Sequence, residues 1–369
     1  MNGATWGGSE EIWFQTALYA ARSGRKVGCV LYPWPGKESR IQQLVDAGCR
    51  IYLLPNKGRQ KRNLIERIQN KITKKITVKR YIKNLPVHEY DAVVINQGYF
   101  EVITNVWKNF YQQLPKYALI YHNYQKNERF KPAKARILNN WVRHAHVNLF
   151  ASKKIKEILE EWFARPIPNG DVLLNPITFQ PPADYTVYPA LQNGNFVFVM
   201  LAALDVRRKA QDKLIEVLSS GKWKERNWVL HLYGDGIDKK KLENLIKERE
   251  IEHKIALKGH VSDVKTVLHH THLLFQITNI DAMPLAVVEA MAMSRPVIVS
   301  KIGDMPYWVQ HNTTGWVCEN ATTEEIDKIL EFAWNKRDQW NEMGRRSFEA
   351  FKKKFTDAPE ERLLKQLGI

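Results

Sequence analysis

The segment from His272 to Ser300 constrains the fold of this chain more than any other. An apolar run, His272-Leu-Leu-Phe-Gln-Ile277, is followed by a loop and a helix-forming run from Pro284 to Met293. A second apolar run, Pro296-Val-Ile-Val-Ser300, comes next. Strand, loop, helix and strand in that order make a βαβ unit, which requires a parallel sheet. Pro284 suits the first turn of a helix, where its missing N–H costs nothing. The free N–H groups of that turn form an anion site at the carboxyl edge of the sheet. Asp281 lies in the loop, and Glu289 lies about a turn and a half into the helix. An anion site flanked by two acids suits a ligand with a phosphate and several hydroxyls, such as a nucleotide sugar.

The rest of the chain repeats this alternation. In the first half, helical spacing over Glu11–Ser23 stops at Gly24, and Ile41–Ala47 is again helical. Short apolar strands are expected at Val27–Tyr32, Arg50–Leu54, Ala92–Ile95, Ala118–Tyr121, Val147–Ala151 and Val172–Leu174. Residues 178–194, rich in Pro, Asn and Tyr, read as an interdomain linker. A second set of strands is expected near 196–202, 228–233, 255–258, 272–277, 296–300 and 315–318. The fold class is therefore α/β. At 369 residues, two domains are the natural expectation.

Composition narrows the function classes. No run reaches the roughly 18 apolar residues that span a bilayer, and the first residues lack the basic and apolar regions of a signal peptide. A cytoplasmic location is expected. Cys29, Cys49 and Cys318 are widely spaced, against a disulfide framework or a zinc site. No Asp-x-Asp motif is present, so no metal is implied. The charge is uneven: residues 1–180 hold 29 Lys+Arg against 13 Asp+Glu, whereas residues 181–369 hold 27 against 26. A basic half beside a neutral half points to a polyanionic surface as partner of the first. Residues 57–83 concentrate the excess, with eleven Lys+Arg, among them Lys71, Lys74, Lys75, Lys79 and Arg80, against Glu66 alone. Ile65, Ile68, Ile72 and Ile76 recur at helical steps. A basic amphipathic helix of this kind suits an anionic membrane surface. Packing of the isoleucines on the protein's own core is the plainer alternative. No nucleic-acid recognition pattern accompanies the charge, and none is expected as partner.

Asp281 and Glu289, with Met283-Pro284-Leu285 between them and Glu289-Ala-Met after, resemble the signature of retaining glycosyltransferase family 4, the group 1 glycosyl transferases. Leu204-Asp-Val-Arg-Arg-Lys209, Leu232-Tyr-Gly-Asp-Gly236, Lys258-Gly-His-Val261 and Thr314-Gly-Trp316 follow in family order. Gly7-Gly8-Ser9-Glu10 resembles the glycine loop of the family's first domain. The resemblance implies the GT-B fold, two Rossmann-like domains facing across a cleft. The domains are then 1–178 on the acceptor side and 195–345 on the nucleotide-sugar side, with 346–369 returning to the first. In the family an apolar strand precedes the glycine loop; here the loop lies at the start of the sequence, so either the chain is truncated or the first sheet lacks its central strand.

The resemblance also implies roles. Arg208 and Lys209 bind the donor's diphosphate, whose charge grows in the transition state. Met283, Pro284 and Leu285 offer backbone N–H groups to it, and Glu289 accepts from the ribose. Asp281 and His122 are the catalytic candidates beside the transferred sugar. Gly7, Gly8, Gly234, His260 and Val261 complete the donor site. Four departures stand out: Asp281 where Glu is usual, Ala282 and Ala210 where Gly is frequent, and Ala203 where Arg is common. The expected activity is sugar transfer from a nucleotide sugar to a glycan or lipid-linked acceptor in surface polysaccharide or lipopolysaccharide assembly, at the inner face of a membrane. No cofactor is implied. A member that binds nucleotide or glycan without efficient transfer, and a basic nucleic-acid-binding protein, are the alternatives.

Overall fold

Apolar runs become parallel strands in the computed structural model, which describes residues 8–33, 36–54, 78, 80–97, 109–123, 131–283 and 285–369. The chain divides into two compact units, one of residues 1–176 and 357–369, the other of residues 177–356.

Unit 1 holds helices α1 (Gly8–Arg22), α2 (Glu38–Asp46), α3 (Pro132–His144) and α4 (Lys153–Phe163). Its strands are β1 (Gly28–Leu31), β2 (Arg50–Leu53), β3 (Ala92–Gln97), β4 (Lys116–Tyr121), β5 (Val147–Phe150) and β6 (Gly170–Val172). They form two separate sheets, β1-β2 and β3-β4-β5-β6, each parallel throughout. Ser152 caps α4 by accepting from the Ile155 N–H at 3.2 Å, satisfying one of the first-turn donors. Ile12 of α1 packs with Ala118, Ile120 and Leu149 of the larger sheet, and Phe14 and Leu18 pack with Cys29 and Leu31 of the smaller.

Unit 2 has one six-stranded parallel sheet in the order β12-β11-β10-β7-β8-β9. The strands are β7 (Phe196–Leu201), β8 (Trp228–Tyr233), β9 (Ile255–Gly259), β10 (Leu273–Gln276), β11 (Val297–Ser300) and β12 (Gly315–Cys318). Helices α5 (Val206–Lys209), α6 (Gln211–Leu218), α7 (Gly221–Lys224), α8 (Lys239–Glu248), α9 (Val264–His269), α10 (Leu285–Ala292), α11 (Met305–Trp308), α12 (Thr323–Trp334) and α13 (Trp340–Lys354) connect and cover them. The helix expected over 284–293 is α10; residue 284 lies outside the described residues. Residues 286–292 of α10 are all buried, as a helix apolar all round must be. Phe198, Trp223, Trp228, Trp316 and Trp340 anchor the core. Arg226 lies 4.1 Å over the Trp223 ring and makes a two-pronged pair with Glu331 at 2.8 and 2.9 Å.

Two boundaries differ from the expectation. The presumed linker is a strap fastened to unit 2: Thr186 N–H donates to Ser294 Oγ at 2.9 Å, Tyr188 Oη donates to His272 O at 3.0 Å, and buried Arg295 donates to Val187 O at 2.9 Å. These partners lie about a hundred residues away, so local composition could not reveal them. The return to unit 1 also begins later than residue 346. Helix α13 packs on α10, where a Cβ on Gly344 would stand 2.1 Å from Ser294 O. Only α14 (Pro359–Leu367) joins unit 1, through Leu363 and Leu367 in the α1 core and Arg362 donating to Asp171 at 2.7 Å.

Candidate active site

The chain lays down β7, β8 and β9 in one direction and then returns to place β10 on the other side of β7. Loops after β7 and β10 therefore diverge, and such a switch point is where open parallel sheets bind ligands. Arg208 and Lys209 follow β7, and Asp281 follows β10. Lys209 Nζ donates to Asp281 Oδ2 at 2.6 Å, with the two side chains 11% and 15% exposed. Gln276 Nε2 donates to the same oxygen at 3.1 Å, and the Ala282 N–H donates to Oδ1 at 2.9 Å. The carboxylate is thus fixed by three donors. An ammonium has three protons, so Lys209 keeps donors for a second anion.

Backbone bonds hold these loops together. Arg208 O accepts from the Asn279 N–H at 2.8 Å and from Thr278 Oγ1 at 2.6 Å. Asn279 Nδ2 donates to Arg207 O at 3.0 Å. Thr278 N–H donates in turn to Ser300 Oγ at the end of β11, 2.9 Å away. The carbonyl end of the Arg-Arg-Lys turn is consumed, while the half-buried Arg208 side chain makes no ion pair among the described residues. Gly303 allows this closeness: a Cβ there would stand 2.6 Å from both Asp281 O and Ala282 O. Ala210 sits buried at φ 48°, a left-handed conformation that favours glycine.

Glu289 is 3% exposed. Its Oε1 accepts from Thr178 N–H at 2.9 Å and Thr178 Oγ1 at 2.7 Å. Burial raises its pKa, and the two Thr178 bonds oppose that shift. Among the described residues no hydrogen bond reaches Oε2. Met283 and Leu285 flank residue 284, with the Leu285 N–H donating to Met283 O at 3.1 Å. The first-turn N–H groups of α10 beyond Leu285 have no partner within the helix.

Gly234, His260 and Val261 follow β8 and β9 at the same sheet edge. Gly234 is required by its backbone: φ is 134°, and a Cβ would stand 2.0 Å from Ala202 O. His260 is exposed and Val261 half-buried.

In unit 1, Asn96 Nδ2 donates to Ser9 O at 3.1 Å, beside Gly8 at the start of α1. Asn96 Oδ1 therefore faces His122 Nε2, its other hydrogen-bond partner, and accepts. This fixes His122 as the Nε2–H tautomer, with a bare Nδ1 that is buried and without a partner among the described residues. Burial lowers its pKa to about 3, so the ring is neutral. Gly7, Pro284, Lys71, Lys74, Lys75 and Lys79 lie outside the described residues; Arg80 is exposed.

Thr178, Gln276, Thr278 and Gly303 are absent from the sequence reading. Gln276 carried a signal, a polar residue closing an apolar strand at the ligand-binding edge. Thr178 carried none.

Residues 189–349 match the family described as Glycosyl transferases group 1. The poly(ribitol-phosphate) alpha-N-acetylglucosaminyltransferase of Staphylococcus aureus is 30% identical over 132 residues, 35% of this chain and 27% of that protein. The N-acetyl-alpha-D-glucosaminyl L-malate synthase of Bacillus anthracis is 29% identical over 127 residues, 34% of this chain and 33% of that protein. The chain spans about a third or less of the length of these curated relatives. Among solved structures, Anabaena Alr3699/HepE in complex with UDP superposes with a TM-score of 0.73 at 16% identity, over 100% of this chain and 98% of that one. That likeness shows the fold, which is GT-B with two Rossmann-like units.

Proposed function

We propose that the protein is a retaining glycosyltransferase that moves a sugar from a nucleoside-diphosphate sugar to a hydroxyl of a glycan or lipid-linked acceptor. The observation that carries this reading is the Lys209–Asp281 pair at the switch point of unit 2. Transfer breaks the bond between the anomeric carbon and the diphosphate oxygen, and negative charge accumulates on that oxygen. A fixed ammonium, the Arg208 guanidinium and the first turn of α10 stabilise that charge more in the transition state than in the ground state. They serve in place of a metal ion. Asp281 holds Lys209 in position and borders the transferred sugar. Glu289 keeps Oε2 for the ribose hydroxyls while Thr178 fixes Oε1. In unit 1, the bare Nδ1 of His122 accepts a hydrogen bond from a sugar hydroxyl.

Two lines of support narrow the substrates. Two of the matched curated relatives carry names with an N-acetyl-alpha-glucosaminyl group, and a matched structure is in complex with UDP. UDP-N-acetylglucosamine is therefore the first donor to try. The excess of basic residues in the first half supports peripheral docking on an anionic membrane, beside the acceptor, in surface polysaccharide assembly. No helix among the described residues is long and apolar enough to cross a membrane.

The test is thermal stabilisation by a panel of UDP-, GDP-, ADP-, CMP- and TDP-sugars, with Glu289→Ala alongside. A ligand that binds only the folded state raises the melting point, by about 2.7 kcal/mol of stability at a hundred times its Kd. A shift with one nucleotide class, lost in Glu289→Ala, supports the donor site. Donor binding without turnover on any acceptor favours a binding member. No shift at millimolar concentration sinks the proposal.

A further inference from the structure

Asn96 and His122 turn to one face of the larger sheet of unit 1. Asn96 pairs with Ile120 across β3 and β4, and paired residues of parallel strands turn their side chains to the same side. His122 lies two residues beyond Ile120. Its N–H extends the ladder by donating to Gln97 O at 3.2 Å, so its ring turns to that side as well. Ile120 packs with Ile12, so the face is the one that α1 covers. Asn96 bonds in both directions there: Nδ2 donates to Ser9 O of α1 at 3.1 Å, and Oδ1 meets Nε2 of the ring at 2.5 Å.

The roles in these bonds are forced. A backbone carbonyl only accepts, so Ser9 O takes the amide NH₂ and leaves the amide oxygen for the ring. That oxygen also only accepts, so Nε2 carries the proton and Nδ1 does not. Nδ1 is buried without a partner among the described residues, in a residue 8% exposed. A buried acceptor with no donor is costly to keep. The amide also decides the charge. A carboxylate of the same shape at position 96 would favour the imidazolium, and a neutral amide supplies no such attraction. The first-turn acids of α1 are engaged elsewhere: Glu10 accepts from Ser9 Oγ at 2.6 Å, and Glu11 pairs with Arg40 at 3.1 Å. On β4, Tyr121 donates to Asn148 Oδ1 at 3.1 Å. Burial is what lowers the pKa of the ring, to about 3.

We propose that Asn96 is the positioning residue of His122, keeping Nδ1 a bare, uncharged acceptor for a hydrogen-bond donor of the substrate, a sugar hydroxyl or amide N–H and not a phosphate. The proposal rests on the reading of His122 as a sugar contact. Phosphate oxygens, like Nδ1, bring no proton to such a contact, so the ring selects for the sugar part of the donor. Asn96 touches no substrate itself, because its amide already holds one partner on each side. It is an asparagine, and not an aspartate, because the carboxylate would turn the ring into a titrating cation and would lose the bond to Ser9 O.

The test follows the ring nitrogens by NMR in the full chain labelled with ¹⁵N-histidine, as parent, Asn96→Asp and Asn96→Leu. The His122 signals are those lost in His122→Asn. Donor consumption is measured on the same proteins and on the double variant Asn96→Leu/His122→Asn. In the parent the ring keeps its proton on Nε2 and does not titrate between pH 5 and pH 9. In Asn96→Leu the other tautomer reaches at least about a tenth of the population. In Asn96→Asp the ring titrates inside that range, and turnover falls as it charges. Turnover of Asn96→Leu falls about fivefold, as it does in His122→Asn, and the double variant loses no more than either, because Asn96 acts through His122. A parent ring that titrates, a leucine variant that keeps a single tautomer, or losses that multiply in the double variant overturn the proposal. Asn96→Asp keeps the shape of the amide and reports even where the leucine variant does not fold. The ring signals need no substrate, so a parent that consumes no donor sinks the transferase reading while the tautomer still decides the role of Asn96.

Discussion

Replacing Lys209 with methionine separates the structural and chemical roles of the switch-point pair. The methionine keeps the bulk of the stem and removes the charge. Asp281 then retains two of its three donors, Gln276 Nε2 at 3.1 Å and the Ala282 N–H at 2.9 Å. Breaking a fully buried pair costs about 3–5 kcal/mol. With 11% and 15% exposure and two donors left, the expected loss is smaller, about 2–3 kcal/mol. For a unit of this size that lowers the melting point by about 4–12 °C. Lys209→Met combined with Asp281→Asn removes the uncompensated carboxylate and should recover stability to within about 1 kcal/mol of the parent, since neither charge is left alone. Turnover should not recover, because the fixed cation at the leaving diphosphate is gone; losing one such group costs about 10²–10³-fold. Scanning calorimetry and a donor-consumption assay on the parent, both single variants and the double variant read the two effects. A double variant that regained turnover, or a Lys209→Met protein unchanged in both assays, would refute the reasoning.

Other positions give independent checks. Glu289→Gln keeps an acceptor for Thr178 and removes the charge that burial disfavours. Because the folded pKa of Glu289 is raised, its protonation supports the fold below the unfolded value and that support is lost as pH rises through the folded pKa. Urea unfolding should therefore show the Gln variant gaining on the parent toward high pH; a constant difference counts against the assignment. Gly234→Ala must shift backbone away from Ala202 O or leave φ 134°, and should destabilise unit 2 by more than about 3 kcal/mol, visible as lost soluble expression. Glu331, bonded to Arg226 and Lys222, has its pKa lowered to about 2, so its stabilisation is present above the usual 4.5 and fades as pH falls toward 2. With 31% exposure, Glu331→Gln should cost about 1–2 kcal/mol at pH 7, and the loss should vanish in chemical denaturation near pH 2. His122 stays neutral at working pH, so His122→Asn should reduce turnover about fivefold, one uncharged hydrogen bond, by the same factor at pH 6 and pH 8; a factor that changed between those values would show a titrating imidazole.

The sequence by itself determined the α/β class, nearly every described strand of unit 2, and the positions of Lys209, Asp281, Gly234 and Glu289. Those features are local: strand and helix periods, glycines at strand ends and acids at fixed spacing are set within about ten residues. Tertiary structure decided the rest, because it rests on which distant strands pair. The return of β10 to the far side of β7 brings Lys209 and Asp281, 72 residues apart, to 2.6 Å. The strap across unit 2 carries Thr178 to Glu289 over 111 residues. A lone threonine in a proline-rich stretch shows no period and no charge pattern, so its partner becomes visible only when the strap docks.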